Sequence, residues 1–482
     1  MFEALLDGDA TSLASLIRNG EVSARELTQA ALDRLEQRDP LIQAFCTATP
    51  ELALQQASAV DAKRARGDTL GPFAGVPLAV KDLICTAGVK TTSGSAAYAD
   101  FIPEDDDITV ERLLAADAIL LGKTTAPEFG YSGVGHNPLF PSPRNPWDLN
   151  KTPGGSSAGS GAALAARLCP IALGSDGGGS VRIPAAHCGV YGFKASMGRV
   201  PLWPGCRDER YPGVSSWESL EHIGPMTRTV RDSALMMSVM AGPDMRDRHS
   251  IPCNDVDWLS ALDKPLNGLR IAFSVDFGYI AVDKEVRDVV TKAAQYLARE
   301  LGAELEEADP EITDEGATFA AIVAFESDLS GMRQMQQDLG SRMSPHLSAM
   351  LQHKWHAENF TDANTARKKI CNQLWRFMQH YDLLLTPTLA VPPFPLNMQG
   401  PEIIDGRMVR SDHWLSFCYP FNFTGQPAAS IPAGFTASGL PIGLQIVGRH
   451  LDDALVLAVS AAFERIQPWN HLYPASIGVA HE

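Results

Sequence analysis

Gly174-Ser-Asp-Gly-Gly-Gly-Ser180-Val-Arg-Ile-Pro184 joins a strand-like apolar run, Pro170–Leu173, to a segment that reads as the start of a helix. Three glycines stand directly before Ser180, and glycine lets neighbouring backbone N–H groups converge on one point. Such convergence is what an oxyanion hole requires. The stretch therefore predicts a strand, a loop lined with N–H donors and a helix, with Ser180 as a candidate nucleophile at the rim of the loop.

The alternation of strand-like and helical patterns continues on both sides of this loop. Strand-like runs lie at 76–80, 118–121, 170–173, 269–273, 383–385, 429–431 and 442–446, and helical patterns at 11–38, 107–116, 158–168, 283–302, 316–380 and 452–466. Strands alternating with helices indicate βαβ units and a sheltered sheet. The predicted fold class is α/β, with a single large mixed, mainly parallel β-sheet flanked by helices on both faces.

Composition excludes several classes of function. The 482 residues carry a formal net charge of −17 and no basic block, so we expect neither nucleic acid nor an anionic membrane surface as a partner. No apolar run approaches the roughly 18–20 residues of a spanning helix. The first residues lack the pattern of a signal peptide, and the eight cysteines are scattered. Both observations favour a reducing, cytoplasmic location.

The common sequence motifs for nucleophiles and phosphate binding do not account for the two glycine-rich stretches, at 153–160 and 174–180. Gly155–Gly159 matches G-x-S-x-G, but the strand that a nucleophile elbow needs does not precede it. No G-K-[ST] follows either loop, which excludes a Walker-type phosphate loop, and S-x-x-K is absent. Spacing typical of metal ligands is missing as well. A single loop of this kind would be read as a turn.

A lysine strengthens the case for chemistry. Lys81 directly follows the apolar run Val76–Val80, and burial of a lysine favours its neutral form. A neutral amine can act as the base that a serine hydroxyl needs before it attacks. A surface lysine at a strand end is the alternative.

Several segments together resemble the amidase-signature family. They are Gly75–Asp82, Asn145–Trp147, Pro153–Ser160, Gly174–Arg182 and Gly192–Lys194, with weaker similarity at Pro427–Pro432 and Gly439–Ile446. The resemblance covers nearly the whole chain. It implies the fold predicted above, as one domain over 1–482 with N-terminal helices at 1–68, a catalytic core at 70–235 and a variable helical region for the substrate pocket at 300–420.

The resemblance also implies a Ser–cis-Ser–Lys triad. Ser180 matches the nucleophile, Ser156 the bridging serine and Lys81 the base, and the Gly155–Ser156 peptide bond is expected to be cis. The amides of Gly177, Gly178, Gly179 and Ser180 match the oxyanion hole. No metal or cofactor is called for, and family members are commonly dimers.

Supporting roles follow from the same resemblance. Asp176 and Arg182 are expected to brace the loop, although a surface salt bridge fits their spacing equally well. Ser157 is expected to donate a hydrogen bond within the loop. Tyr131 matches an aromatic at the acyl-binding wall, and Trp414 and Tyr419 are expected to line the pocket.

The expected substrate is a small-molecule amide. Relatives that use glutamine carry an aspartate five residues before the proline of a P-x-N motif, whereas Leu415 stands there, before Pro420-Phe-Asn422. An apolar side chain cannot pair with a substrate ammonium. The prediction is an amidase that cleaves an apolar acyl or aryl amide through an acyl-enzyme on Ser180. The alternatives are the A subunit of a tRNA-dependent glutamine amidotransferase, and a urea, carbamate or ester hydrolase.

Overall fold

Eleven strands form one mixed sheet within residues 2–204, 217–474 and 477, the part of the chain that the computed structural model describes. Two further strands, β10 and β11, form a separate pair. In chain order the thirteen strands of the described residues are β1 (Phe45–Ala48), β2 (Pro77–Lys81), β3 (Ile119–Thr124), β4 (Ile171–Ser175), β5 (Tyr191–Lys194), β6 (Ile223–Thr227), β7 (Arg270–Phe273), β8 (Glu304–Glu307), β9 (Leu383–Pro387), β10 (Ile403–Ile404), β11 (Arg407–Met408), β12 (Ala428–Phe435) and β13 (Pro441–Gly448). Their order in the sheet is β1-β3-β2-β4-β6-β5-β12-β13-β9-β7-β8, and β10 pairs only with β11.

Fourteen α-helices accompany the strands in the same part of the chain. They are α1 (Ala10–Asn19), α2 (Ala24–Ile42), α3 (Pro50–Ala65), α4 (Ile108–Ala115), α5 (Ala158–Ala165), α6 (Arg182–Cys188), α7 (Val230–Met240), α8 (Lys284–Leu301), α9 (Gly316–Phe325), α10 (Leu329–Leu339), α11 (Pro345–Gln352), α12 (Ala357–Phe377), α13 (Pro420–Phe423) and α14 (Asp453–Ile466). None of them is both long and apolar enough to cross a membrane.

The predicted α/β class with one large mixed sheet is confirmed, whereas the expected predominance of parallel pairs is wrong. Four neighbouring pairs of the large sheet are parallel, β2–β3, β2–β4, β7–β8 and β7–β9. Six are antiparallel, β1–β3, β4–β6, β5–β6, β5–β12, β12–β13 and β9–β13. The two parallel blocks carry the βαβ crossovers that the sequence pattern predicts, and antiparallel central strands join them.

Helices cover both faces of the sheet. Successive side chains of a strand point to opposite faces, and two glycines of β13 show what lies on each side. A Cβ atom added to Gly443 would lie 2.6 Å from Cβ of Ala186 in α6, and one added to Gly448 would lie 2.7 Å from Cγ2 of Val456 in α14. The sheet is therefore buried between two helical layers.

All seven predicted strands are present. The two-residue strands β10 and β11 were missed, as were β1, β5, β6 and β8 of the large sheet. These four are only four or five residues long, and β6 contains both glycine and proline. The predicted helix at 11–38 is two helices, since the chain leaves α1 at Gly20 in a left-handed conformation. A capping box of Ser23 and Glu26 opens α2.

The predicted helix at 11–38 ends before Pro40, whereas α2 includes Pro40 and continues to Ile42. Proline removes one helical hydrogen bond, and α2 ends two residues later. The boundaries proposed for segments 1–68, 70–235 and 300–420 stay a prediction.

The sheet places two candidate residues at one edge. β2 and β4 are parallel neighbours, with Val80 opposite Leu173, so their carboxyl ends lie side by side. Lys81 is the last residue of β2, and Ser175 is the last residue of β4. In open α/β sheets, ligands bind outside the carboxyl ends of the strands.

The contact of β13 with α6 gives a test of the packing. We expect Gly443→Ala to lower the free energy of unfolding by about 1–3 kcal/mol, because the added methyl group overfills the space beside Ala186, Ser430 and Thr388. Adding Ala186→Gly should recover part of this loss, although glycine inside a helix itself costs up to about 1 kcal/mol. Urea unfolding of the two single variants and the double variant measures the coupling, and strictly additive effects would contradict the predicted contact.

Candidate active site

Lys81 contacts two serine hydroxyls. Its side chain is fully buried, and its Nζ lies 2.6 Å from Oγ of Ser156 and 2.8 Å from Oγ of Ser175. The contact with Ser156 matches the arrangement that the family resemblance implies. Ser175 was not singled out in the sequence, since only the pairing of β2 with β4 brings it to Lys81.

Ser156 lies in the loop before α5, and its peptide bond with Gly155 is cis, as the resemblance predicts. A Cβ atom on Gly155 would lie 2.8 Å from the carbonyl oxygen of Val134. Only glycine fits so closely against another backbone segment. This packing holds the loop where the hydroxyl of Ser156 reaches Lys81.

Ser180 lies between β4 and α6, beside the loop of Ser156. Its carbonyl oxygen accepts a hydrogen bond from the N–H of Ser157 at 3.3 Å, which joins the two serine-bearing loops. Exposure rises from Lys81 at 0% through Ser156 at 2% to Ser180 at 8%. An incoming substrate therefore meets the predicted nucleophile before the other two residues.

Ser157 supports the loop through its hydroxyl. Its Oγ lies 3.2 Å from both the N and the carbonyl oxygen of Ser175, so it accepts from one group and donates to the other. A Cβ atom on Gly174 would come within 2.9 Å of this hydroxyl. The hydrogen bond expected of Ser157 is present, and it ties the loop to the end of β4.

Asp176 and Arg182 form a fully buried ion pair, which decides against a surface salt bridge. Nε and Nη2 of Arg182 each donate to the carboxylate of Asp176 at 2.9 Å. Nη1 donates to the carbonyl oxygen of Cys418 and to Oε1 of Gln445, at 2.9 and 2.8 Å. The pair thus connects the glycine-rich loop to β13 and to the segment that precedes α13.

The pair keeps its charges in the interior. Burial by itself raises the pKa of Asp176, but the positive charge of Arg182 and its hydrogen bonds outweigh burial and hold that pKa well below its usual range. Burial lowers the pKa of Arg182, and Asp176 more than compensates, so the pKa of Arg182 is raised. Bidentate arginine–carboxylate pairing of this kind is strong and orients both partners.

One part of the predicted oxyanion hole is wrong in this structure. The N–H of Gly179 donates to Oδ1 of Asp176 at 2.7 Å, so it points toward the buried carboxylate. The sequence does not show which of the four candidate amides faces the carboxylate of Asp176, because all four lie close to it along the chain. Among the described residues, the N–H groups of Gly177, Gly178 and Ser180 have no hydrogen-bond acceptor.

The Ser180 amide has a defined orientation. The carbonyl of Gly179 belongs to the same peptide group and accepts from the N–H of Ile183 at 2.7 Å. In a trans peptide the C=O and N–H bonds point in opposite directions. The N–H of Ser180 therefore points away from the first turn of α6.

Two aromatic residues that sequence reasoning missed lie against the glycine-rich loop. A Cβ atom on Gly177 would lie 2.5 Å from Cε3 of Trp217, and one on Gly178 would lie 2.6 Å from Cζ of Phe319. The wider 300–420 region that contains Phe319 was expected to shape the pocket. No motif marks either aromatic residue, since each lies far from the loop along the chain.

Tyr131 lies at the same wall. Its ring packs edge-on against Trp217, with ring centroids 4.8 Å apart, and its hydroxyl accepts from Nε1 of Trp217 at 3.3 Å. Its hydroxyl also contacts Oγ of Ser327. A Cβ atom on the preceding residue, Gly130, would lie 3.4 Å from Oγ of Ser156. The structure therefore brings Tyr131 beside the serine cluster.

The two other predicted pocket residues lie further back. Trp414 is fully buried, its ring stacks on His187, and its Nε1 donates to the carbonyl of Gln399. Protein encloses the whole ring in this structure, and its role in substrate binding stays a prediction. Tyr419 stacks on Phe319, with ring centroids 5.3 Å apart, so it supports the wall from behind.

The described residues include no group of three or more His, Cys, Asp or Glu side chains that could hold a metal ion. A serine hydroxyl in contact with a buried amine, beside a second and more exposed serine on the adjoining loop, is the kind of arrangement that nucleophilic catalysis requires. The available backbone N–H groups could receive a developing negative charge.

Known proteins are similar to this chain over nearly its whole length. Residues 26–457 match the family model of amidases. The chain is 36% identical over 478 residues to an acylamidase of Rhodococcus erythropolis, with 97% of each chain covered. It is 37% identical over 497 residues to the A subunit of the glutamyl-tRNA(Gln) amidotransferase of Moorella thermoacetica, with 98% of this chain and 99% of that one covered.

A solved structure gives the same picture. The fold is similar to that of a bacterial aryl acylamidase belonging to the amidase signature enzymes, with a TM-score of 0.90 and 32% identity. The similarity covers 98% of this chain and 99% of that one.

The buried ion pair gives a test of what holds the loop. We expect Arg182→Met to lower the free energy of unfolding by about 3–5 kcal/mol, because it leaves the carboxylate of Asp176 buried without its cation. The matched control is Arg66→Met, which removes an exposed pair with Asp68 and should cost less than about 1 kcal/mol. Chemical denaturation measures both, and equal losses would contradict the role of the buried pair.

Proposed function

Since the chain belongs to the amidase family and hydrolyses carbon–nitrogen bonds, we propose that Ser180 is its nucleophile and that Ser156 and Lys81 carry its proton. The observation that supports this proposal most directly is the distance of 2.6 Å between Nζ of Lys81 and Oγ of Ser156. A buried lysine in contact with a serine hydroxyl is otherwise costly to maintain. The neighbouring loop presents a second, more exposed serine.

The first half of the proposed reaction is acylation. Oγ of Ser180 forms a bond to the amide carbon as its proton passes to Ser156, whose own proton passes to the unprotonated amine of Lys81. The carbon–nitrogen bond then breaks, and the relay returns a proton to the leaving nitrogen. This return matters because an amine leaves poorly as its anion.

The second half is hydrolysis of the acyl-enzyme. A water molecule gives one proton to the relay and attacks the ester carbon, and the bond to Oγ of Ser180 breaks as that oxygen regains its proton. The products are a carboxylate and an amine or ammonia. No cofactor takes part in either half.

The proposed oxyanion hole uses the amides of Gly177, Gly178 and Ser180. These N–H groups have no acceptor among the described residues, whereas that of Gly179 is engaged by Asp176. Preorganised donors stabilise the charge that develops on the carbonyl oxygen without reorganising during the reaction. The ion pair of Asp176 and Arg182 supplies this preorganisation.

The proposed substrate is an apolar acyl or aryl amide. Trp217, Phe319 and Tyr131 form an aromatic wall beside the glycine-rich loop. Leu415 stands near the loop of Ser156 as well. A Cβ atom on Gly155 would lie 3.0 Å from the carbonyl carbon of Gly133, and one on Gly133 would lie 3.0 Å from Cδ2 of Leu415. Aromatic and aliphatic surface favours an apolar group over a charged amino acid. The likeness to an acylamidase agrees with this choice.

An amidotransferase A subunit is the second candidate function. The identity of 37% to the protein of Moorella thermoacetica favours it. The apolar side chain of Leu415 opposes it, because it offers no partner to the amino group of glutamine. Hydrolysis of a urea, carbamate or ester would use the same serine, and only the fit of the substrate distinguishes these reactions. The cytoplasmic location and the homodimer stay predictions.

The roles of the three residues can be tested together with matched controls. We expect Ser180→Ala to abolish labelling by a fluorophosphonate probe, and Lys81→Met and Ser156→Ala to lower kcat by at least about 10³-fold. Lys123, a buried lysine on β3 whose Nζ contacts Thr86 and Thr91, provides the control for Lys81. Lys123→Met should lose stability and keep most of its kcat.

Ser157 is the control for Ser156, because its hydroxyl bonds to backbone rather than to Lys81. Ser157→Ala should lower kcat by less than about tenfold. Peptide mapping of the labelled protein identifies the nucleophile. A probe attached to Ser157, or normal turnover by Lys81→Met, would overturn the proposed triad.

Substrate profiling separates the candidate functions. We expect the isolated protein to hydrolyse anilides and other apolar amides with a higher kcat/KM than glutamine or asparagine, because of the aromatic wall and Leu415. Leu415→Asp should shift this ratio toward glutamine, whereas Leu415→Met should leave it unchanged. Ammonia release and arylamine release measure the two activities. Turnover of the polar amides alone would contradict the proposed substrate.

A further inference from the structure

The peptide group between Asp176 and Gly177 controls one donor of the proposed oxyanion hole. The cis bonds of the described chain are Gly155–Ser156 and Trp203–Pro204, so this peptide is trans. In a trans peptide the C=O and N–H bonds point in opposite directions. Whatever holds the carbonyl oxygen of Asp176 therefore also aims the N–H of Gly177.

Asn422 holds that carbonyl oxygen. Its Nδ2 donates to the carbonyl oxygen of Asp176 at 2.7 Å, and the same nitrogen lies 2.9 Å from Oδ1 of Asp176 and 3.1 Å from the carbonyl oxygen of Leu220. Its Oδ1 accepts from Nη2 of Arg182 at 2.7 Å. Asn422 is fully buried. Bonds on both ends of the amide leave its plane one orientation.

His222, which directly precedes β6, also holds the carbonyl oxygen of Asp176. Its backbone N–H donates to the carbonyl oxygen of Asp176 at 3.2 Å, and its own carbonyl accepts from the N–H of Asp176 at 2.7 Å. Its ring Nδ1 lies 2.8 Å from the carbonyl oxygen of Leu220, and Nε2 lies 3.4 Å from Nζ of Lys194. Burial, followed by the nearby charge of Lys194, lowers the pKa of His222 well below its usual value.

We propose that Asn422 is a positioning residue that turns the Asp176–Gly177 peptide so that the N–H of Gly177 faces the carbonyl oxygen of the scissile amide. The inference rests on the proposed function, because it assigns a purpose to an amide of the same site. The side chain of Asn422 makes its hydrogen bonds to Arg182, Asp176 and Leu220 and not to Ser180 among the described residues. It acts on the reaction through the backbone of Asp176.

We expect Asn422→Leu to weaken the stabilisation of the transition state and to leave substrate binding unchanged. A donor aimed at the oxyanion contributes when the tetrahedral intermediate forms and contributes little to substrate binding. Loss of one such donor typically lowers kcat by about 10²–10³-fold. In Asn422→Leu the backbone N–H of His222 still holds the carbonyl oxygen of Asp176. We therefore expect the smaller decrease of about 10–100-fold in kcat, with an unchanged KM.

Gln426→Leu is the matched control. Gln426 is also a buried amide side chain, which donates to the carbonyl oxygen of Gly448 and accepts from Oγ1 of Thr424, both at 2.9 Å. Its side chain does not contact the Asp176–Gly177 peptide. We expect Gln426→Leu to lose a comparable amount of stability and to keep its kcat.

The experiment measures kcat, KM and inhibitor affinity for the wild type and both variants with one anilide substrate. An arylboronic acid, which forms a tetrahedral adduct with a serine, should lose affinity for Asn422→Leu by the same factor as kcat/KM. The corresponding N-alkylaniline, in which a methylene group replaces the carbonyl of the anilide substrate, should bind all three proteins equally. Equal kcat values for Asn422→Leu and Gln426→Leu would overturn the proposal.

A second measurement does not depend on whether Asn422→Leu folds. A crystal structure of the wild-type protein with the boronic acid should show a boronate oxygen within hydrogen-bond distance of N of Gly177. A carbonyl of Asp176 turned toward the boronate would overturn the proposal. Ser180→Ala in the same set separates the two hypotheses, since normal turnover by that variant would refute the proposed function, whereas its inactivity leaves the test of Asn422 valid.

Discussion

The buried negative charge of Asp176 is the constraint around which the site is arranged. Its carboxylate receives hydrogen bonds from N–H groups of Gly179 and Val181, from Arg182 and from Asn422. A buried carboxylate is tolerated only when it is paired and its oxygens are satisfied. Because the donors come from the glycine-rich loop, α6 and α13, satisfying one charge places three parts of the chain relative to one another.

That arrangement gives the glycines their separate tasks. Gly179 turns with a φ of +125° and directs its N–H to the carboxylate, while the amides before and after it have no acceptor among the described residues. Gly177 and Gly178 let Trp217 and Phe319 approach the backbone closely. A side chain at either position would displace the aromatic wall, so the same absence of Cβ atoms serves the loop and the pocket.

The elements that have a short-range sequence pattern could be predicted from the sequence. The seven apolar runs and the capping box of Ser23 and Glu26 are patterns within a few residues of one another. Strands β6 and β8 could not be predicted in this way, because glycine, proline and glutamate obscure their pattern. The dominance of antiparallel pairs was also hidden, since strand direction depends on which distant strands become neighbours.

The residues of the candidate site also differ in whether a short sequence pattern reveals them. Lys81, Ser156 and Ser180 could be singled out from motifs, and the cis bond at Gly155 followed from the resemblance. The place of Trp414 could not, because an aromatic residue near a motif has the same sequence signature whether it lines a pocket or stacks on His187 in the core. Trp217 and Phe319 were missed, since nothing in the chain between them and the glycine-rich loop indicates contact.

The sequence by itself determined which residues are candidates for the chemistry of this protein, because the proposed nucleophile, relay, base and flexible glycines are residue types in short, ordered motifs. Only the tertiary structure decided how those groups are used. The parallel pairing of β2 with β4 brought Ser175 to Lys81, the buried charge of Asp176 took the amide of Gly179, and α9 placed Phe319 over Gly178. Some of these contacts join residues that are distant in the chain, and others depend on the burial of a charge. Neither distant contacts nor burial exist until the sheet and its helices have packed.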